Sequence, residues 1–181
     1  MKNVLQWFRA RYYLLTGILM FLSFPSYEAL PFRLFPAVAW FALVPLFVYV
    51  RDCEPRKAFL ATFLTGIVGN LLVFSWIGYF GAKMPGGFAI ILVFLIPTLS
   101  VTFTLRIVIA ETLSRRFESI RFLIYPAAWI FVDTIHTLGF LAFPWLNWGY
   151  SQYPFTTFVQ TASLAGILGI NFIMITGSYI M

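Results

Sequence analysis

The sequence predicts an all-α integral membrane protein, a bundle of about six transmembrane helices with a cytoplasmic N-terminus. Hydrophobic residues make up 61% of the 181 residues and charged residues 10%, whereas soluble domains average about 45–50% and about 25%. The apolar residues also form long unbroken runs, whereas a membrane β-strand alternates over about 10 residues. This composition excludes a soluble globule, and it excludes a disordered chain because such chains are poor in apolar residues.

Six apolar runs approach the length of about 20 residues that a helix needs to cross a bilayer. The predicted helices cover residues 12–24, 34–50, 58–80, 88–110, 122–143 and 155–181. Gly66 and Gly69 in the third run predict a close approach of a neighbouring helix. The last run is still apolar at Met181, so we expect this transmembrane domain, residues 1–181, to be one portion of a longer protein.

The distribution of basic residues predicts the orientation, because positive residues in short loops stay on the cytoplasmic side. Of the 12 Lys and Arg residues, all but Arg33 and Lys83 fall in one set of alternating connections, with Arg106 counted there because it lies near the end of the fourth run. That set is Lys2, Arg9, Arg11, Arg51, Arg56, Lys57, Arg106, Arg115, Arg116 and Arg121. Both chain ends are therefore predicted to be cytoplasmic, and the loop after the fifth run outside. Membrane orientation explains the net charge of +6 better than a nucleic-acid partner does.

Asp133 and His136 are polar residues within the fifth predicted helix. At a spacing of three residues they share one helical face. An aspartate at the bilayer centre costs about 2.5–3.5 kcal/mol on insertion scales, so such a residue is retained for a reason. Two interpretations stay open: a site facing a wet cavity or ligand, and a buried polar clasp between helices.

Other chemistry has little support in the sequence. Cys53 is flanked by Asp52 and Glu54, which oppose formation of its thiolate, so an inert loop thiol is the favoured interpretation. One histidine and one cysteine cannot build a metal site, and no glycine-rich nucleotide motif is present. We therefore predict no cofactor. A Ser–His–Asp arrangement that uses Ser151 has no support from the spacing.

The aromatic loop, Phe143–Pro154, is the densest feature of the chain. It carries five aromatic residues in twelve, together with two prolines, a glycine and the amides of Asn147 and Gln152. Tyrosine and tryptophan favour the headgroup level, so an aromatic belt is one interpretation. A belt does not need prolines and amides, and this mixture favours an ordered interfacial loop that lines a lipid-accessible cleft.

The aromatic loop also resembles the signature of the bacterial apolipoprotein N-acyltransferases. The match is Phe143-Pro144-Trp145-Leu146 followed by Gly149-Tyr150-Ser151-Gln152. Weaker matches occur in the expected order over nearly the whole chain. They are Phe24-Pro25, Ser75-Trp76 with Gly81 and Met84-Pro85, Pro126-Ala127-Ala128-Trp129, and Gly169 with Asn171-Phe172.

The resemblance implies an acyltransferase of the bacterial inner membrane that acts on its outer, periplasmic face. Such enzymes transfer an acyl chain from a phospholipid to the diacylglyceryl-modified N-terminal cysteine of lipoproteins, the last step of lipoprotein maturation. The implied partners are a phospholipid acyl donor, diacylglyceryl-modified lipoproteins and membrane lipids. The family has eight membrane helices and an outward nitrilase-like domain whose Glu–Lys–Cys triad forms a thioester, which is nucleophilic catalysis.

The nitrilase-like domain is not in these 181 residues, so we nominate no catalytic residue and expect this chain alone to be inactive. Asp133 and His136 stand where the family has Glu and Arg. The candidates for shaping the lipid cleft or supporting the catalytic domain are Trp76, Trp129, Asp133, His136, Pro144, Trp145, Tyr150 and Gln152. The alternative is a non-enzymatic membrane protein, a small transporter or an assembly scaffold, although the repeated halves common in transporters are not visible.

Overall fold

The computed structural model describes residues 11–24, 35–138 and 142–181. Every regular element in these ranges is helical, and none of their residues lies in a strand, which confirms the all-helical class. Residues that the orientation and the motif matches used, Lys2, Arg9, Pro25 and Arg33, lie outside the described ranges. Residue 34 of the second predicted helix and residues 139–141 of the fifth also lie outside them.

The helices are numbered here in chain order. They are α1 (Leu15–Ser23), α2 (Phe35–Phe41), α3 (Val44–Arg51), α4 (Pro55–Val73), α5 (Ile77–Gly81), α6 (Gly87–Ile90), α7 (Ile96–Ser114), α8 (Arg121–His136), α9 (Thr156–Val159) and α10 (Ala162–Ile180). A π-helical turn, Ile91–Leu95, joins α6 to α7. Short 3-10 turns cover Tyr12–Leu14, Glu118–Ile120, Pro144–Leu146 and Trp148–Gln152.

Three helices of the described part are long and apolar enough to cross a membrane. They are Pro55–Val73, the continuous stretch Gly87–Ser114 and Ala162–Ile180. Two further apolar helices, Tyr12–Ser23 and Pro36–Arg51, are shorter. These lengths are consistent with a membrane bundle.

Prolines and one glycine account for breaks inside the predicted helices. Pro45 lies in the first turn of α3, and because it has no N–H it cannot continue the hydrogen bonds of α2. Pro97 follows the π-helical turn. Because proline has no N–H, a carbonyl of the preceding turn lacks its usual helical donor. The π-helical turn, with its wider hydrogen-bond spacing, lies at this point. Helix α10, which lies in the sixth predicted helix, kinks at Gly166, where φ is +63°, a conformation that glycine adopts without steric cost.

The helices contact one another in a closed cycle. Helix α1 packs on α4, α4 on α7, α7 on α8, α8 on α10, α10 on α2, and α2 returns to α1. The predicted role of Gly66 is confirmed, because a Cβ there would lie 3.0 Å from the Cα of Ser100 on α7. Gly69 faces α1 in the same way, with Met20 and Gly17 as its neighbours. Small residues thus let α4 approach both of its partners closely.

Buried polar side chains lie inside this cycle beside the apolar core, and large apolar side chains also cover its outer surface. Asn70, Ser100 and Asn171 are fully buried, whereas Val93 and Phe94 are 63% and 67% exposed. In water the outward apolar surface would be costly. In lipid it is the expected outer surface, because the surrounding solvent is itself apolar.

Candidate functional site

Trp148 anchors the aromatic loop in the middle of the bundle. Its side chain is fully buried, and its indole N–H donates a 3.1 Å hydrogen bond to the carbonyl of Ala39 on α2. The rings of Phe24 and Trp129 meet it edge-on, with centroids 5.8 Å away in both cases. A buried tryptophan with its N–H satisfied is a rigid anchor, so the loop is an ordered part of the fold.

Asn171 of α10 holds the same loop by hydrogen bonds. Its side-chain oxygen accepts from the backbone N–H of Gly149 at 2.7 Å. Its amide nitrogen donates to Asn147 at 3.0 Å and to Asp133 at 2.8 Å. A Cβ at position 149 would lie 2.9 Å from Ile170 and 3.1 Å from the Asn171 oxygen, so the glycine permits this close approach. One amide thereby links the loop to two helices.

Asp133 of α8 forms a buried ion pair with Arg106 of α7. Two guanidinium nitrogens of Arg106 lie 2.8 Å and 2.6 Å from Oδ1 of Asp133. The two side chains are 4% and 3% exposed, and Asn171 holds the other carboxylate oxygen. Asp133 therefore sits in a polar clasp that joins α7, α8 and α10.

The placement of Arg106 corrects the sequence analysis, which counted it among the cations of a cytoplasmic connection. It lies within α7, eight residues before the helix ends at Ser114, and it is buried. The position of Arg106 in an apolar run could have indicated that it is buried, because an ionisable residue inside a membrane helix is expected to have a partner. Asn171 was noted as a motif match, but its role in anchoring the loop was missed because its partners are distant in sequence.

Trp129 completes the surroundings of the ion pair. It is 2% exposed, and the guanidinium carbon of Arg106 lies 5.2 Å from its ring centroid, within the range of a cation–π interaction. Its indole N–H is buried and has no hydrogen-bond partner in the described part of the chain. Trp129 therefore contributes to the site through its ring.

His136 lies beside the ion pair, at the end of α8. It lines a narrow cavity together with Arg106, Asp133 and Asn147, a space of about the size of one water molecule. Its Nε2 is buried and, among the described residues, has no hydrogen-bond partner. Asp133 and His136 thus share this cavity, although both carboxylate oxygens of Asp133 are taken by Arg106 and Asn171.

Gln152 fastens the end of the aromatic loop to α2. Its amide donates to the carbonyl of Pro36 at 2.8 Å and to Ser151 at 2.9 Å, and its oxygen accepts from the indole of Trp40 at 3.3 Å. The hydroxyl of Ser151 donates to the carbonyl of Trp148 at 2.8 Å. Among the described contacts Ser151 bonds within the aromatic loop and has no hydrogen bond with His136.

Two candidates of the aromatic loop, Trp145 and Tyr150, form its exposed rim, and the partly buried Trp76 packs against this rim. The rings of Trp76 and Trp145 stack with centroids 5.3 Å apart and an interplanar angle of 12°. Trp145 is 52% exposed and Tyr150 is 44% exposed. Pro144 begins a 3-10 turn, but its side chain lies outside the described part of the structure. The loop thus has a buried, hydrogen-bonded inner side and an aromatic outer side.

Cys53 lies at the opposite end of the bundle. It precedes α4, and its carbonyl accepts a 2.7 Å hydrogen bond from Arg115, just after α7. Helix α8 begins at that end with Arg121 and reaches the aromatic loop end at His136. Cys53 and Asp133 are therefore separated by most of the length of α8, and Cys53 cannot take part in chemistry at Asp133.

Comparisons with known proteins agree with the motif matches. The family model described as the apolipoprotein N-acyltransferase N-terminal domain matches residues 16–180. A protein of Geobacter metallireducens named apolipoprotein N-acyltransferase is 30% identical over an alignment of 174 positions that covers 92% of this chain and 32% of the relative. Apolipoprotein N-acyltransferase 1 of Treponema denticola is 25% identical over 161 residues, which are 89% of this chain and 28% of the relative.

The apolipoprotein N-acyltransferase of Pasteurella multocida is 23% identical over 171 residues, 94% of this chain and 31% of that relative. The chain therefore spans about a third of the length of these curated relatives. No solved structure gives a significant match to it.

Proposed function

Because the chain belongs to the apolipoprotein N-acyltransferase N-terminal domain family, we propose that it forms the membrane portion of an enzyme that acylates lipoproteins. The reaction moves an acyl chain from a phospholipid to the diacylglyceryl-modified N-terminal cysteine of a lipoprotein. Both substrates carry acyl chains, so a helical bundle in the bilayer gives them a site that they can enter from the side. The catalytic nucleophile belongs to the remaining part of the enzyme, and residues 1–181 alone are inactive.

The anchored aromatic loop is the observation that supports this function best. Its inner side is held by Trp148, Asn171 and Gln152, whereas Trp145 and Tyr150 remain half-exposed on its outer side. A rigid loop with exposed amphipathic rings suits a lipid cleft, because tryptophan and tyrosine favour the headgroup level. In this role Trp145 and Tyr150 contact lipid, with Trp76 stacked behind Trp145.

The remaining candidates position the loop. Asp133 orients Asn171, and Trp129 packs against both Arg106 and Trp148. His136 faces the small cavity under Asn147 and is available for a polar contact there. Pro144 begins the turn that carries Trp145.

We also propose that the bundle crosses the bacterial inner membrane about six times, with both ends of residues 1–181 in the cytoplasm and the aromatic loop on the periplasmic face. The basic residues near Cys53 and Arg115 support this orientation. Reporter fusions after residue 53 and after residue 150 test it. We expect cytoplasmic activity for the first and periplasmic activity for the second, and the reverse pattern would overturn the orientation.

Replacement of the exposed loop aromatics tests the function. We expect Trp145→Ala and Tyr150→Ala, made in the complete gene, to lower acyl transfer roughly tenfold or more, since losing about 1.4 kcal/mol of lipid contact is tenfold in rate. The assay is mass spectrometry of a lipoprotein N-terminus, in cells whose own N-acyltransferase has been depleted. It measures the ratio of triacylated to diacylated protein.

Phe117→Ala provides the control, because Phe117 is also about half-exposed but lies at the opposite end of the bundle, just before α8. It should leave the ratio unchanged. Cells with the complete wild-type gene that show no triacylated lipoprotein would contradict the proposed reaction. Normal transfer by both loop variants would contradict the cleft role alone.

A further inference from the structure

Helices α5 and α6 form a tight hairpin that is fixed by close glycine contacts. A Cβ at Gly87 would lie 2.7 Å from the carbonyl oxygen of Gly81, and a Cβ at Gly81 would lie 2.5 Å from the side chain of Ile91. The backbone N–H of Met84 donates to the carbonyl of Gly81 at 3.2 Å, and the N–H of Gly87 donates to the carbonyl of Met84 at 3.0 Å. Gly86 has a φ of +71°, which glycine adopts without steric cost. The connection is therefore an ordered turn.

The hairpin tip, residues 82–88, presents large apolar side chains on its outside. Met84 is 60% exposed and Phe88, in the first turn of α6, is 55% exposed. Lys83 is exposed beside them. An apolar surface next to a long cationic side chain suits the boundary of a membrane, because the apolar groups enter the lipid while the charged head stays in the polar layer.

The length of the helical stretch that follows sets the level of the hairpin tip. Gly87–Ser114 has 28 residues, about 40 Å at 1.5 Å per residue. A bilayer measures about 40–45 Å with its headgroup layers included. The far end of the stretch is followed by the exposed Arg115 and Arg116, which are expected in the cytoplasmic headgroup layer. The hairpin tip therefore lies at the level of the opposite headgroup layer.

Helix α4 starts from the same end of the bundle and is shorter. Its 19 residues measure about 28 Å, so the hairpin tip stands roughly 10 Å further out than the end of α4. Trp76 lies just before α5 and stacks on Trp145 of the aromatic loop. The position of the hairpin in the membrane therefore bears on the depth of this stack.

We propose that the hairpin tip lies in the outer headgroup layer of the membrane, where Met84 and Phe88 insert among the phospholipids. The ammonium group of Lys83 lies at the level of the lipid phosphates. Because α5 connects the tip to Trp76, this contact with lipid also holds the Trp76–Trp145 stack at a fixed depth. The inference rests on the proposed placement of the bundle in a bilayer and not on acyl transfer.

Fluorescence quenching in phospholipid vesicles tests the position of the tip. A genetically encoded fluorescent amino acid replaces Met84 in the full-length protein, and in a second variant it replaces Phe88. The quenchers are a nitroxide on the lipid headgroup, a nitroxide near the end of the acyl chain, and iodide in the water. For both variants we expect the headgroup nitroxide to quench roughly threefold more than the acyl-chain nitroxide, because the two lie at opposite depths of one leaflet.

The same replacement at Phe94 is the matched control. Phe94 is 67% exposed on the same helical stretch, and it lies seven residues after Gly87, which is about 10 Å deeper. There the acyl-chain nitroxide should quench more strongly than the headgroup nitroxide.

Three results at positions 84 and 88 would overturn the proposal. Quenching mainly by iodide would mean that the tip stands in water, and strongest quenching by the acyl-chain nitroxide would mean that it lies in the hydrocarbon. Quenching by none of the three would mean that protein covers it. None of these measurements uses acyl transfer, so the two proposals can fail separately.

Discussion

Replacing Asp133 with alanine is expected to destabilise the bundle by about 3–5 kcal/mol, because it leaves the buried charge of Arg106 without its counter-ion. The guanidinium is held at 2.6 Å from the carboxylate and is 4% exposed, so it is shielded from bulk water. We expect a lower yield of folded protein and a lower Tm in detergent. Thermal unfolding followed by tryptophan fluorescence measures the change.

Two further variants test whether the loss of stability comes from the broken ion pair or from mutation in general. Glu118→Ala removes an exposed carboxylate and should change stability by less than about 0.5 kcal/mol. The double variant Arg106→Met with Asp133→Leu removes both charges, and such replacements are often neutral. It should be more stable than Asp133→Ala. A double variant that is no more stable would show that the unpaired charge is not the cause of the loss.

Replacing Asn171 with leucine is expected to release the aromatic loop while the helices remain folded. The change removes the acceptor for the Gly149 N–H and the donor to Asp133 and Asn147. Each buried polar group left unsatisfied costs about 1–3 kcal/mol. We therefore expect faster hydrogen exchange at the backbone amides of Gly149 and Tyr150, and acyl transfer by the full-length protein reduced roughly tenfold or more, because a displaced loop misplaces substrate.

Thr176→Val is the control on the same helix, since among the described residues the Thr176 hydroxyl bonds only within α10, to the carbonyl of Phe172 at 2.7 Å. It should leave exchange in the aromatic loop unchanged. Amides of α4, on the far side of the bundle from α10, should be protected equally in all variants. Wild-type exchange at Gly149 in Asn171→Leu would mean that Trp148 and Gln152 hold the loop without Asn171.

The helical class could be predicted from the sequence because it depends on local properties. A backbone in lipid has no water to bond, so long apolar runs must satisfy their own N–H and C=O groups as helices. The third and fourth predicted helices correspond to Pro55–Val73 and to Gly87–Ser114. The structure interrupts the second predicted helix at Pro45 and the fourth before Pro97, and the effect of a proline on the hydrogen-bond ladder is also local.

The candidate site was accessible to sequence reasoning only in part. Asp133 stood out because a carboxylate is costly inside a membrane helix, and the aromatic loop stood out by its composition. The histidine three residues on was the nearest polar neighbour in sequence, whereas the charged partner of Asp133 is Arg106, 27 residues away. Arg106 lies near the end of a predicted helix. The sequence pattern there does not distinguish an arginine in a loop from an arginine buried in the helix.

By itself the sequence determined that this chain is helical and apolar on its outside, because both properties follow from the composition of each segment. Tertiary structure alone decided which polar side chains meet. Asn171 reaches Asp133 over 38 residues and Gly149 over 22, and these contacts depend on α8 packing between α7 and α10. The physical reason is the distance in sequence over which each interaction acts. A helix satisfies its backbone hydrogen bonds within about one turn. A buried charge needs a partner from another helix, and the packing of the helices decides which side chain that is.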